Sequence, residues 1–219
     1  MITEIEEKLR RVRAVRAELQ THGPRRTRPL DGDFERVSLP APDCDILRDT
    51  LVARGAHVVV EIGLAYGSSA LAIAEALSSA GNAPVSHVVI DPFQETAYHD
   101  VGLDLLNAAG VADQTTFIGE PSSTALARLA ADRFTADAAF VDGSHRYHEV
   151  FVDLYYLRKI VRPGGVIVLD DAEWPSVATA LRYFDLNLGW RPLATPGRLT
   201  VRELPDGPFE PAFTDFKPF

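Results

Sequence analysis

Residues His57 to Leu77 constrain this chain more than any other stretch. Val58, Val59, Val60 and Ile62 make a short apolar run, Gly63 and Gly67 follow, and an Ala/Leu-rich run continues after Ser69. An apolar run of that length predicts a strand buried on both faces, and the longer run after it predicts a helix. The two glycines let the chain reverse and bring backbone N–H groups close to a ligand at the positive end of the helix. The stretch therefore predicts either a turn that binds a nucleotide-like ligand or an ordinary strand-to-helix connection.

At 219 residues the chain fits one domain with extensions better than two domains. It has no run of about 18 apolar residues, so no membrane span is predicted. Its charged first residues exclude a secretory signal, so a cytoplasmic protein is expected. Cys44 is the single cysteine, which rules out an internal disulfide, and no Cys/His spacing resembles a zinc site. Residues 1–30 carry eight Lys/Arg and four Asp/Glu, a local +4, leaving 14 basic against 27 acidic residues, or -13, for the rest. An acidic body argues against nucleic-acid binding, and the basic N-terminal segment points instead to a partner subunit.

Ile2, Ile5, Leu9, Val12, Arg16 and Leu19 share one stripe, which predicts an amphipathic helix over 2–20 that packs on its own domain or on a second copy. A homo-oligomer is therefore expected. His22 to Asp33, with Arg25, Arg26 and Arg28, reads as a basic linker, either a solvated connector or a lid. From Cys44 onward, helices and strands alternate. Helices are predicted at Cys44–Arg54, Asp100–Ala109, Thr124–Ala131, Glu149–Val161 and Pro175–Asn187, with Glu120 to Ser123 capping the third of these. Strands are predicted at His87–Ile90, Thr115–Ile118, Ala136–Val141 and, after the turn Arg162 to Gly165, Val166–Leu169. Two last strands, Trp190–Ala194 and Leu199–Glu203, are joined so briefly that they must pair antiparallel.

This order predicts an α/β fold with a Rossmann-like, doubly wound, seven-stranded, mostly parallel sheet and a C-terminal antiparallel hairpin. The expected divisions are an N-terminal helix and linker over 1–44, the main domain over 45–204 and an irregular Pro/Phe-rich tail over 205–219. Asp91 lies 28 residues beyond Gly63 at the end of the second strand, where a carboxylate can accept hydrogen bonds from both hydroxyls of a ribose or simply form a turn.

Glu61 to Ser69, Asp91, Val141-Asp142-Gly143-Ser144-His145, Arg162-Pro163-Gly164-Gly165 and Leu169-Asp170-Asp171, in that order over about residues 45–203, resemble the class I S-adenosylmethionine-dependent methyltransferases. The resemblance is closest to small metal-dependent O-methyltransferases of the catechol type and of the macrocin and novobiocin sugar type. It implies that Glu61, Gly63 and Gly67, with Ala65, Tyr66, Ser68 and Ser69 in the same turn, hold the methionine part of the cofactor. It likewise places Asp91 on the ribose, Pro92 and Phe93 beside the adenine, Glu120 and Ser122 on the other adenine loop, and Asp142 next to the transferable methyl group.

Asp142, Asp170 and Asp171 end neighbouring strands, so their repulsion calls for a compensating cation, and oxygen-only ligands suit Mg²⁺. The other reading of Asp170 and Asp171 is a helix-capping pair. Metal-dependent relatives place a lysine or aspartate base just after the first carboxylate, but this chain has Ser144 and His145 there. His145 is the chosen base, with a scaffold role as its alternative, and Tyr147, His148 and His99 are weaker candidates.

The expected function is Mg²⁺-assisted O-methylation of a small molecule with vicinal oxygens, either a sugar or a phenol- or polyketide-type natural product. The Ala/Arg-rich composition points to a bacterial source. The alternatives are a nicotinamide oxidoreductase, disfavoured because Ala65 stands where the middle glycine of a dinucleotide turn is needed, and a non-catalytic nucleotide-binding accessory subunit.

Overall fold

The computed structural model describes residues 3–24, 33–81, 83–207 and 209–219. Five strands run parallel: β1 (Val58–Ile62), β2 (Ser86–Ile90), β3 (Thr115–Ile118), β4 (Ala136–Val141) and β5 (Val161–Leu169). Two more, β6 (Arg191–Leu193) and β7 (Thr200–Glu203), pair antiparallel with each other, and β7 pairs antiparallel with β5. The spatial order is β3-β2-β1-β4-β5-β7-β6. The chain winds outward from β1 to β3, then returns to lay β4 on the other side of β1. Beyond the carboxyl ends of β1 and β4 the connections therefore leave in opposite directions and open a crevice, which is where open α/β sheets bind ligands.

Alternation along the strands divides the core between the two faces of the sheet. Val60, Ile62, Val88, Ile90, Val141 and Ile167 pack beneath α7 (Ser122–Ala131), α8 (Tyr147–Ile160) and α9 (Pro175–Asn187). Val59, Ala138, Phe140, Val166 and Val168 face α3 (Ala41–Ala53) and α4 (Ser68–Ser78). Each fully buried leucine or valine in these layers contributes about 1.5–3 kcal/mol.

The N-terminal stripe finds its cover within the same chain. α1 (Glu4–His22) opens with a capping box between Thr3 and Glu6 and buries Val12 and Leu19 with Leu64, Leu71 and Leu106. Arg16 pairs with Glu75 of α4 at 2.8 Å while both side chains are nearly solvent-free. Ile2 and the arginines of the expected basic linker lie outside the described residues. Where that linker was expected to end, a short helix that the sequence did not suggest, α2 (Asp33–Val37), docks on the glycine turn: Tyr66 donates its hydroxyl to Asp33 at 2.9 Å, and its ring meets Phe34 edge-on.

Three expected boundaries move. α3 starts at Ala41, ahead of the expected helix start at Cys44, and supplies Leu47 and Leu51 to the core. β5 begins at Val161 instead of Val166, because Arg162 to Gly165 form a bulge within the strand: Ala136 pairs with Val161 and Ala138 already pairs with Val166. The Arg162 side chain closes that bulge on Asp137, whose other carboxylate oxygen accepts the backbone N–H groups of His57 and Val58 at the start of β1. At α7 the cap is Pro121, with no side-chain hydrogen bond, so Ser122 and Ser123 do not cap this helix but begin it. The described residues beyond Pro205 form no helix or strand, but the tail is anchored: Asn187 exchanges two hydrogen bonds with the backbone of Lys217, and Phe219 packs edge-on to Tyr183.

Candidate active site at the switch point

The crevice holds a cavity of about 940 Å³, large enough for a nucleoside joined to an amino acid. Its floor is the contact between two loops. Gly63 has φ +91°, and a Cβ built on it would stand 2.1 Å from the carbonyl oxygen of Asp142. Only glycine lets the turn after β1 touch the turn after β4, so Gly63 is fixed by both conformation and space. Ala65 takes the left-handed conformation with φ 43°, in the position where a dinucleotide turn would carry glycine.

Asp91 braces this turn. Its Oδ2 accepts Leu64 N–H and Ala65 N–H, both at 3.0 Å, together with the Gln94 amide, while its Oδ1 accepts Phe93 N–H at 2.7 Å. Oδ1 thus keeps acceptor capacity on the cavity side.

The other predicted cofactor residues divide into two sets. Gly63, Ala65, Asp91, Pro92, Phe93, Ser122 and Asp142 line the cavity. Tyr66, Ser68 and Ser69 border a small adjoining hollow instead. Glu61, Gly67 and Glu120 line neither. Glu61 is completely buried, with its carboxylate on Ser69 Oγ and 2.9 Å from His87 Nε2, so it fixes the start of α4 from beneath the turn. Gly67 packs against Gly102 at the start of α6 (Val101–Ala109), and Glu120 pairs with Arg128.

Ser122 rests near a buried acid, Asp153 of α8, which is 1% exposed. Burial pushes the Asp153 carboxyl up to about 7, with Glu149 adding to the rise and Ser122 opposing it. Its folded value lies above that of an ordinary aspartate, so its contribution to stability is complete below the ordinary aspartate range and is lost as pH rises through about 7. Asp153→Asn is expected to gain on the wild type by on the order of 1–3 kcal/mol more at about pH 8 than at about pH 5. Thermal melts of both proteins at the two pH values check this, and an unchanged difference would contradict it.

The acidic rim differs from the expected all-carboxylate set. Asp142, His145 and Asp171 converge, with one ligand-type atom from each lying within 4.8 Å of the others. His145 Nε2 lies 2.8 Å from Asp171 and 3.8 Å from Asp142. Asp170 lines the same cavity but lies outside that converging group, with one oxygen bonded to Arg198 and the other buried without a partner. Burial, then the charges of Asp170 and Asp171, push the Asp142 carboxyl up to about 8. Burial disfavours the charged form, and neighbouring carboxylates of like charge raise the value further. A rim of one imidazole and two carboxylates, with the third carboxylate already paired, does not fit the oxygen-only site expected for Mg²⁺.

Sequence reading missed several wall residues, among them Tyr98, Arg146 and Glu149. Arg36 and Val37 arrive with α2, Trp174 follows the turn after β5, and Arg198 comes from the β6–β7 connection. Asp171, with φ 51°, makes the bend that lets Trp174 lie 4.8 Å from the His145 ring. Trp174 stands three residues after Asp171, so its proximity had a local signal. Arg198 had none. Tyr147, His148 and His99 do not line the cavity.

A family profile described as "Methyltransferase domain" matches residues 60–172, from within β1 to just past Asp171. The chain belongs to the methyltransferase-domain family. The nicotinamide reading is set aside by that match. Among curated relatives of this chain, caffeoyl-CoA O-methyltransferase 2 of Zea mays is 33% identical over 172 residues, covering 70% of this chain and 60% of the relative. The flavonoid 3',5'-methyltransferase of Vitis vinifera is 30% identical over 145 residues, covering 63% and 57%. The chain spans about half to three fifths of the length of such relatives. The fold also matches a Bacillus cereus O-methyltransferase solved with SAH, with TM-score 0.63, 18% identity and 90% of each chain covered. The Streptomyces achromogenes O-methyltransferase TomG, solved with SAM, matches with TM-score 0.59 and 19% identity, covering 94% of this chain and 92% of that one. Among the described residues no helix is long and apolar enough to cross a membrane.

Proposed function

We propose that this chain transfers a methyl group from S-adenosylmethionine to a hydroxyl of a small aromatic acceptor. The observation that carries the reading is the contact of the Gly63 turn with Asp142 at the floor of the switch-point cavity, which brings a cofactor-type turn and an acidic rim into one space. The curated relatives named for caffeoyl-CoA and flavonoid substrates favour a phenol over a sugar. Trp174, beside His145 and half exposed at the cavity wall, offers a flat apolar surface for such a ring.

S-adenosylmethionine, when bound, supplies an electrophilic methyl on a sulfonium. This chain's residues do the rest. The Gly63–Gly67 turn holds the methionine end, Asp91 offers Oδ1 to the ribose, and Pro92, Phe93 and Ser122 flank the base. Asp142 faces the reacting centre. His145, whose Nε2 lies 2.8 Å from Asp171, keeps Nδ1 to take the acceptor's hydroxyl proton. Mg²⁺ assistance, expected from three free carboxylates, is not carried into this scheme, because the rim presents a different donor set. Assembly into a homo-oligomer, a cytoplasmic setting and a bacterial natural-product role belong to the same reading. The exposed Phe213 and Phe216 of the tail support assembly, which size-exclusion chromatography tests.

Incubation with S-adenosylmethionine and an ortho-dihydroxyphenol is expected to yield a singly methylated product by mass spectrometry. Cofactor binding without methylation of any phenol or sugar acceptor tested would instead favour the accessory-subunit reading.

A further inference from the structure

From the acidic rim we infer that Arg198 is its resident cation, occupying through Asp170 the place a divalent ion would need. Its guanidinium donates to Asp170, whose side chain is 1% exposed, and lines the same cavity as Asp142 and Asp171. The chain delivers this arginine by a specific device. Gly197, at φ +74°, packs so closely on α3 that a Cβ there would stand 2.5 Å from Asp43 Oδ1 and 2.6 Å from Ile46. Arg198 N–H then donates to that same Asp43 oxygen at 3.3 Å, and its Nε lies 3.9 Å from the other. The tip of the β6–β7 hairpin is thereby pinned to α3, and the guanidinium is carried over the ends of β4 and β5.

Two features separate this arrangement from an ordinary surface ion pair. The second oxygen of Asp170 is buried without a partner, as expected of a carboxylate shaped for two-sided contact but filled on one side. The rim also already holds a permanent positive charge, because Arg198 is bonded to Asp170. A guanidinium is always charged and geometrically matched to a carboxylate, so a divalent ion must displace it to gain Asp170. The inference rests on the proposed transfer only for its catalytic meaning, which is that the rim steadies the acceptor oxygen with a fixed arginine.

The test is calorimetric titration with Mn²⁺ alone, on the wild type, Arg198→Gln, Arg198→Lys and the double variant Arg198→Gln/Asp170→Asn. Mn²⁺ is expected to bind the wild type weakly and Arg198→Gln at least about tenfold more tightly. Arg198→Lys should behave like the wild type, and the double variant should lose the gain. Equal affinity for the wild type and Arg198→Gln, or micromolar binding to the wild type, would overturn the inference. If Arg198→Gln fails to fold, the wild-type and Arg198→Lys titrations still decide by that second criterion. S-adenosylhomocysteine binding, measured on each protein, separates failure here from failure of the cofactor reading.

Discussion

Gly63→Ala is expected to lower the unfolding free energy by about 3–5 kcal/mol and to abolish measurable binding of S-adenosylhomocysteine. Both effects come from one atom. The added Cβ would meet the Asp142 carbonyl oxygen at 2.1 Å, and its residue would have to hold φ near +91°. Neither problem can be relieved by a rotamer change, because the opposing atom is backbone. The Asp142 turn is itself held, with Asp142 N–H donating to Ile62 O at 2.9 Å, so the two loops must part together. For a chain of this length, the melting temperature should fall by roughly 6–20 °C. Circular dichroism melts measure the first effect and calorimetry the second. A variant that melts within about one degree of the wild type would show that the loops do not meet as described.

Asp142→Asn is expected to act in the opposite way on stability while removing turnover. Its carboxyl, pushed up to about 8 by burial and by Asp170 and Asp171, destabilises the fold when ionised. At neutral pH the folded protein must therefore hold a proton there that the unfolded chain does not, a cost the neutral amide avoids, so the variant should gain on the order of 1–3 kcal/mol. The rate of methyl transfer should fall by about 10²–10⁴-fold, while S-adenosylhomocysteine affinity stays within roughly threefold of the wild type. Steady-state kinetics, a melt and a binding titration on the same preparation separate the three quantities. Loss of cofactor binding with the fold intact would move Asp142 from the chemistry to the cofactor.

The main sheet was legible in the sequence because its strands are short apolar runs ended by glycine or aspartate, patterns set by burial on both faces. Asp91, Asp142, Asp170 and Asp171 were legible for the same reason: the end of a strand is easy to find, and the topology brings those ends to one rim. Partner choice was not legible. Whether Asp170 faces a metal or Arg198 depends on how a hairpin 28 residues away lies over α3, and no local pattern encodes that. Glu61 reads as a turn ligand by position, yet its carboxylate is taken by Ser69 and lies 2.9 Å from His87, which the parallel register sets opposite Val59 on the neighbouring strand. The bulge at Arg162 to Gly165 read as a turn because its glycines and proline satisfy turn chemistry, and only the pairing with β4 distinguishes the two.

The most direct test of the central claim is a calorimetric titration of the wild-type protein with S-adenosylhomocysteine. Micromolar binding of one molecule per chain is expected, lost in Gly63→Ala and kept in Asp142→Asn. No heat of binding up to about 1 mM ligand, from protein that melts cooperatively, would contradict it.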